Sequence, residues 1–331
     1  MNRFCLSERH PLTWLAVIAW VLLWQGCAHH AVMPDRPHQA IYVAGEWPED
    51  LVRQQAPVFM TYDYADTDNR VGRPAAGGQG KDDDEVWIDT DHPAVYVMRR
   101  TFTTARATYT NLIYRVHFPR VPYFHLTAGN NVGLMVVVTL DEASHPVLVT
   151  TVHTCGCYKA FIPTDFLPAD ALPQGWDVNQ RQSVYGEELP SRLVFEGISN
   201  PALLIHLRPE VHRVMNVEVV SADRLRGDDY LPVAMEVTSM DALDRLPADG
   251  ATSSFYLDHG WRKGHVKGSI KPFEMMFMSL ISLDLFVGSD KTYADPAVSD
   301  NPFYTSLKPW RRDDSDMWDF ARFLDYWGWR L

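Results

Sequence analysis

The chain has 331 residues, long enough for one large domain or two ordinary ones with a sizeable core. Its 46% hydrophobic and 22% charged residues exclude a disordered chain, and its net charge of −12 excludes the basic surface that non-specific nucleic-acid binding requires. No nucleic-acid partner is expected, and the eleven tryptophans and fourteen tyrosines point to an aromatic core ahead of a carbohydrate-binding face.

Arg3 and Arg9 precede an uncharged run, LTWLAVIAWVLLW, from Leu12 to Trp24, and QGCAHH follows. A basic start, a short apolar stretch and small residues form the pattern of a secretory signal. The run has 13 residues, where a bilayer-spanning helix needs about 20. LLWQGCA resembles the lipobox of bacterial lipoproteins, with Gly26 before Cys27 as the lipid-accepting cysteine and Trp24 standing where that family carries Leu. The resemblance covers residues 1–27. It implies a cleaved signal peptide and a lipid anchor on Cys27, which makes the membrane itself a partner. Ala28 and not Asp follows the cysteine, which in that class implies the outer membrane, facing the periplasm. Cleavage after Ala28 and an uncleaved anchor stand open beside lipidation. Export is common to all three.

Residues 28–40 are polar and proline-bearing and read as a tether. A single β-rich domain over 41–331 is expected to open at IYVAGEW, with a loop or linker near 73–85, where RPAAGGQGKDDDE clusters glycine and like charges. The centre reads as β. AVYVMRRTFTT (94–104) and TYTNLIYRVHF (108–118) are rich in β-branched and aromatic residues, and Leu112, Tyr114, Val116 and Phe118 alternate along one face. NVGLMVVVTL (131–140) and PVLVTTVHTC (146–155) flank DEASH and predict a hairpin. Shorter strands are expected at RLVFEG, ALLIHLR, VMNVEVV and PVAMEV. Without helix–strand alternation, a doubly wound parallel sheet is excluded. The expected fold is α+β, a mainly antiparallel sheet or sandwich with helices in the C-terminal third.

Those helices are expected near 271–287 and 315–327. KPFEMMFMSLISLDLFVG reads as a buried helix with Pro272 at its start and Gly288 as its stop. Its methionines suit core filling better than soft-metal binding, and Glu274 and Asp284 speak against a transmembrane role. In the closing segment Met317, Phe320, Ala321, Leu324 and Trp327 form one apolar stripe behind N-caps at Asp313–Ser315. That describes a helix docked on the sheet, or else one that binds an envelope protein partner.

TTVHTCGCYKAF (150–161) carries the candidate site. In a continuous strand His153, Cys155 and Cys157 share one face, spaced by about 6.6 Å, and the outer two lie about 13 Å apart. One metal held at about 2.0 to 2.3 Å by all three requires the strand to end or bend, which Gly156 permits. Three readings follow. The first is a metal site, zinc or copper, on His153, Cys155 and Cys157, with His117, His125 or His145 as further ligands. The second is a Cys155–Cys157 disulfide, natural to an oxidising compartment. The third is a pair of buried thiols beside a hydrogen-bonded histidine.

No catalytic residue is assigned. G-x-S-x-G, H-E-x-x-H, the P-loop and C-x-x-C-H are absent from the sequence. The acidic stretches 62–69 and 81–91 do not match a calcium loop, and DHGWRKGHVKG (258–268) is the one basic patch, an anion or lipid-headgroup site or a plain surface loop. The expectation is an exported, lipid-anchored envelope component carrying a metal or redox site. The alternatives are a periplasmic metalloenzyme or thiol oxidoreductase at that cluster, and an assembly partner acting through its C-terminus.

Overall fold

The computed structural model describes residues 38–78, 81–226, 230–248 and 251–331, with backbone alone at 81–84, 247, 248 and 251. The signal run, Cys27 and residues 28–37 lie outside the described residues. The chain forms β1 (Ala40–Ala44), helix α1 (Asp50–Gln54), β2 (Val58–Thr61), β3 (Arg73–Gly78), β4 (Lys81–Asp89) and β5 (Ala94–Thr103). The long central strands β6 (Thr108–Val121), β7 (Gly129–Leu140) and β8 (Pro146–His153) follow, then β9 (Ala160–Pro163), β10 (Gln182–Val184) and β11 (Glu187–Leu189). Next come β12 (Pro201–Leu207), β13 (Val214–Ser221), β14 (Leu231–Ser239), β15 (Leu246–Ala248) and β16 (Ala251–Ser253). Helices α2 (Pro272–Ser282), α3 (Pro296–Ser299) and α4 (Phe320–Tyr326) occupy the C-terminal third.

Ten strands make one mixed sheet in the order β13-β12-β2-β1-β14-β5-β6-β7-β8-β9. Antiparallel pairing prevails. Parallel pairs join β12 to β2, β1 to β14 and β14 to β5. The sheet curls until Ile205 and Val217 from one end share a core with Val149 and Ile162 from the other, so one curled sheet replaces a two-sheet sandwich. Leu112, Tyr114, Val116 and Phe118 line that inner core, as their alternation predicts. The opposite face, with Ile113, Met135, Val137 and Val152, is covered by Phe255, Phe303, Met317, Phe320, Phe323 and Trp329 of the C-terminal third. The central strands are therefore buried on both faces.

Four expectations are corrected. Residues 73–78 and 81–89 pair as the β3–β4 hairpin and not as a linker, because Ala76, Val86 and Ile88 reach the outer core. RLVFEG forms no strand and contributes only a single bridge between Thr164 and Leu193. The C-terminal helix starts later than 315, with Asp319 accepting from the Arg322 N–H as its cap. Gly328 (φ 86) follows its last turn. Helix α2 spans much of the expected segment but is not buried; among its residues only Ser282 is. Its polar groups are the ones that turn inward. Glu274 faces Lys271, and Gly288 packs so closely on Glu274 that a β-carbon there would collide with the carboxylate.

Candidate functional site

β8 ends at His153, and the chain bends through Thr154, Cys155, Gly156 and Cys157 before β9. The Gly156 N–H donates to the His153 carbonyl at 2.7 Å, and the His153 N–H donates to the Cys157 carbonyl at 2.9 Å. Gly156 has φ 88, and a β-carbon on it would strike the Tyr304 carbonyl oxygen. Both facts require glycine here. The bend brings the cysteine α-carbons to 5.6 Å, and their sulfurs are joined as a disulfide. Of the three readings, this is the second. With both sulfurs bonded to each other, neither is a thiolate free to hold a metal. Among the described residues no group of three or more His, Cys, Asp or Glu side chains could hold a metal ion.

His153 is buried, and its Nε2 lies 3.2 Å from the His212 carbonyl, which can only accept. Burial, with help from the charge on Lys271, drives its pKa down to about 3, so the ring is neutral. The structure separates the further candidate ligands. His117 is buried and its Nε2 accepts from Arg115 at 3.0 Å. His125 pairs with Glu210 at 2.7 Å, and His145 sits beside the far end of β8, stacked on Phe166.

Beneath the turn lies a buried polar cluster that the sequence did not announce. Asp290 is fully buried, and its carboxylate accepts from the Thr154 hydroxyl, from the Gly133 N–H at 3.2 Å and from the Ser269 hydroxyl at 2.9 Å. Lys271 Nζ lies 3.3 Å from Asp290 Oδ2 and 3.9 Å from Glu274 Oε2. Burial pushes the lysine pKa down, but Asp290 and Glu274 outweigh it and leave it above its ordinary value. Burial also raises the Glu274 carboxyl.

The next residue, Lys291, donates its N–H to the Thr154 carbonyl at 2.9 Å. Its ammonium is fully buried, sits 3.4 Å from the centre of the Tyr304 ring, and has no hydrogen-bond partner among the described residues. Burial pulls its pKa to about 7. Lys159, half-buried two residues past Cys157, lies over the Trp327 ring at 3.0 Å and is likewise pulled to about 7 by burial.

A second relay runs from the Tyr62 hydroxyl to His206 Nδ1 (2.8 Å) and from His206 Nε2 to Glu218 (2.7 Å). Tyr62 is 1% exposed and His206 is buried, while Glu218 at the other end is partly exposed. The basic patch 258–268 is largely committed: His265 is buried, Lys263 pairs with Asp300 at 2.7 Å, and Lys267 donates to Ser253 at 2.9 Å. In the acidic stretch 62–69, Asp68 pairs with Arg120 at 2.6 Å. A cleft of about 560 Å³ lined by Trp87, Arg120, Asn131, Arg262 and Lys267 includes none of residues 153–157.

Compared with protein-family models, curated proteins and solved structures, the chain matches none. The site must be read from its own geometry. It is a rigid disulfide turn pinned to a buried Lys–Asp pair, with Cys155 buried (5% exposed) and Cys157 partly exposed.

Proposed function

We propose that this chain is an exported, lipid-anchored cell-envelope protein whose folded domain acts as a non-catalytic component, with the Cys155–Cys157 bond clamping the turn above Asp290. The observation that carries export, independent of the N-terminal sequence, is the disulfide. Such bonds persist in oxidising compartments and are rare in reducing ones. The non-catalytic reading is supported by the surroundings of the pair: His153 is neutral and engaged, and the turn is fixed by backbone bonds from both sides. The outer membrane, facing the periplasm, is the location that the lipobox resemblance implies. Fractionating native cells tests it: the reading requires the chain in the membrane fraction, released by detergent and not by salt. Recovery in the soluble cytoplasmic fraction with free thiols would refute it.

A second reading rests on the unequal exposure of the two cysteines. A thiolate of a dithiol protein could attack Cys157 Sγ, expelling Cys155 as thiolate. The partner's second thiolate would then attack the mixed disulfide at the partner sulfur, leaving the partner oxidised and both cysteines reduced. Incubation with a reduced dithiol protein, followed by thiol trapping, decides it. Equimolar loss of partner thiols and gain of thiols at 155 and 157 favours exchange, and an unchanged disulfide favours the clamp.

A further inference from the structure

Helix α2 turns its apolar residues to solvent. Met276 is 62% exposed, Leu280 85% and Ile281 61%, and Leu283 and Leu285 continue the tract at 71% and 62%. Single exposed apolar side chains need no explanation, but a contiguous run of this kind does. The only acids between Pro272 and Leu285 are Glu274 and Asp284. Glu274 turns onto Lys271, and Asp284 accepts from the Tyr304 hydroxyl, so the outer face carries no free acid. Two tryptophans flank the tract. Trp261 (86% exposed) adjoins Arg262, whose guanidinium lies 5.5 Å from the centre of the Phe286 ring. Trp310 (76% exposed) lies two residues before Arg312, which donates to the Ser282 carbonyl at the helix end at 2.6 Å. Lys308 and Arg311, both exposed, surround Trp310. Arg311 is ion-paired with Asp314 at 2.8 Å, which leaves Lys308 at one edge and Arg262, bonded to the Ser269 carbonyl at 3.1 Å, at the other as rim cations without a carboxylate partner among the described residues.

We propose that this face is a membrane-contact surface: α2 lies in the interface plane of an anionic bilayer, its outer side chains in the headgroup–acyl boundary. Interfacial helices combine an apolar face with a cationic rim, and tryptophan favours the boundary because its ring is apolar while its N–H is polar. The anionic headgroups would meet Lys308 and Arg262 at the rim. With 11 residues α2 is too short to cross a bilayer, which needs about 20, so it would lie along the interface. A protein partner or a second copy would also use exposed tryptophan and arginine, and the bilayer is favoured because the envelope reading already places the domain beside one. The inference builds on the envelope reading, which brings the domain to a membrane by its N-terminus.

The test uses the full chain with Cys5 and Cys27 replaced by serine and an environment-sensitive fluorophore on Leu280→Cys, attached without reductant so that the disulfide stays closed. With vesicles containing anionic phospholipid, the emission should rise several-fold and be quenched by bromine in the upper acyl chain. A label on Val194→Cys, outside the tract, should stay in water. Adding Phe277→Ser and Ile281→Ser should abolish the signal at 280. If the chain floats with the vesicles while the label at 280 remains in water, the surface assignment is overturned and the envelope reading stands. Shielding of the label without lipid, at the mass of two copies, would assign the face to self-association and overturn the proposal, as would absence of any vesicle binding.

Discussion

Lys271 and Asp290 meet at 3.3 Å with 1% and 0% of their side chains exposed, and the same carboxylate holds the Thr154 hydroxyl at the start of the disulfide turn. One buried ion pair therefore ties the N-terminus of α2 to the candidate site. Such a pair need not stabilise the fold relative to apolar residues, but breaking one partner strands a charge. Asp290→Ala should lower unfolding free energy by about 3–5 kcal/mol in urea titrations, and adding Lys271→Met should restore much of the loss. A loss under about 1 kcal/mol for the single variant would mean that the lysine finds another partner.

The disulfide closes a very short loop, so it removes little entropy from the unfolded chain. Loop-closure arithmetic gives about 1–2 kcal/mol for Cys155→Ser with Cys157→Ser. Gly156→Ala should cost more than the double serine variant, since it meets both a positive φ and the Tyr304 carbonyl. Equal thermal midpoints for the two variants would contradict the packing described for this turn.

Acid should unfold the domain through its histidines. His153 and His212 are pulled by burial from an ordinary 6.5 down to about 3. Between those values the unfolded chain binds more protons than the folded one, so stability rises with pH through this window. The contribution is complete above about pH 6.5 and is lost as pH falls towards 3. Urea midpoints taken from pH 7 to 4 should fall steadily, and the slope should flatten in His212→Asn.

Lys291 predicts the opposite end of the scale. Its folded pKa of about 7 lies below the ordinary 10.5, so the unfolded chain again binds more protons between those values, and stability should climb from neutral to alkaline pH. Lys291→Met removes the buried amine while keeping its length. It should gain about 1–3 kcal/mol at pH 7 and lose most of that climb. A destabilised Lys291→Met would show that the contact of the ammonium with the Tyr304 ring outweighs its desolvation.

Period-two alternation made the central sheet legible, because β6, β7 and β8 must satisfy one register over many residues. The stripe Phe320–Leu324 was legible for the same kind of reason. Burial of α2 was not, since hydrophobicity alone does not say which side of a helix finds a protein partner. The hairpin at 73–89 was hidden by glycines and aspartates that a strand tolerates when Val86 and Ile88 are anchored. In the candidate site, His153, Cys155 and Cys157 stand out by spacing, whereas Lys271 and Asp290 do not. The Asp290 partners Thr154 and Gly133 are more than a hundred residues away, and a Ser-Asp-Lys run at 289–291 reads locally as a solvated loop.

The most direct test of the central claim is the intact mass of the mature protein, taken from its native membrane without reductant and denatured before measurement. The account predicts a chain beginning at Cys27 with acyl groups attached and a mass two hydrogens below the reduced form, with the missing pair mapped to Cys155 and Cys157. A full-length chain beginning at Met1 with free thiols at 155 and 157 would contradict it.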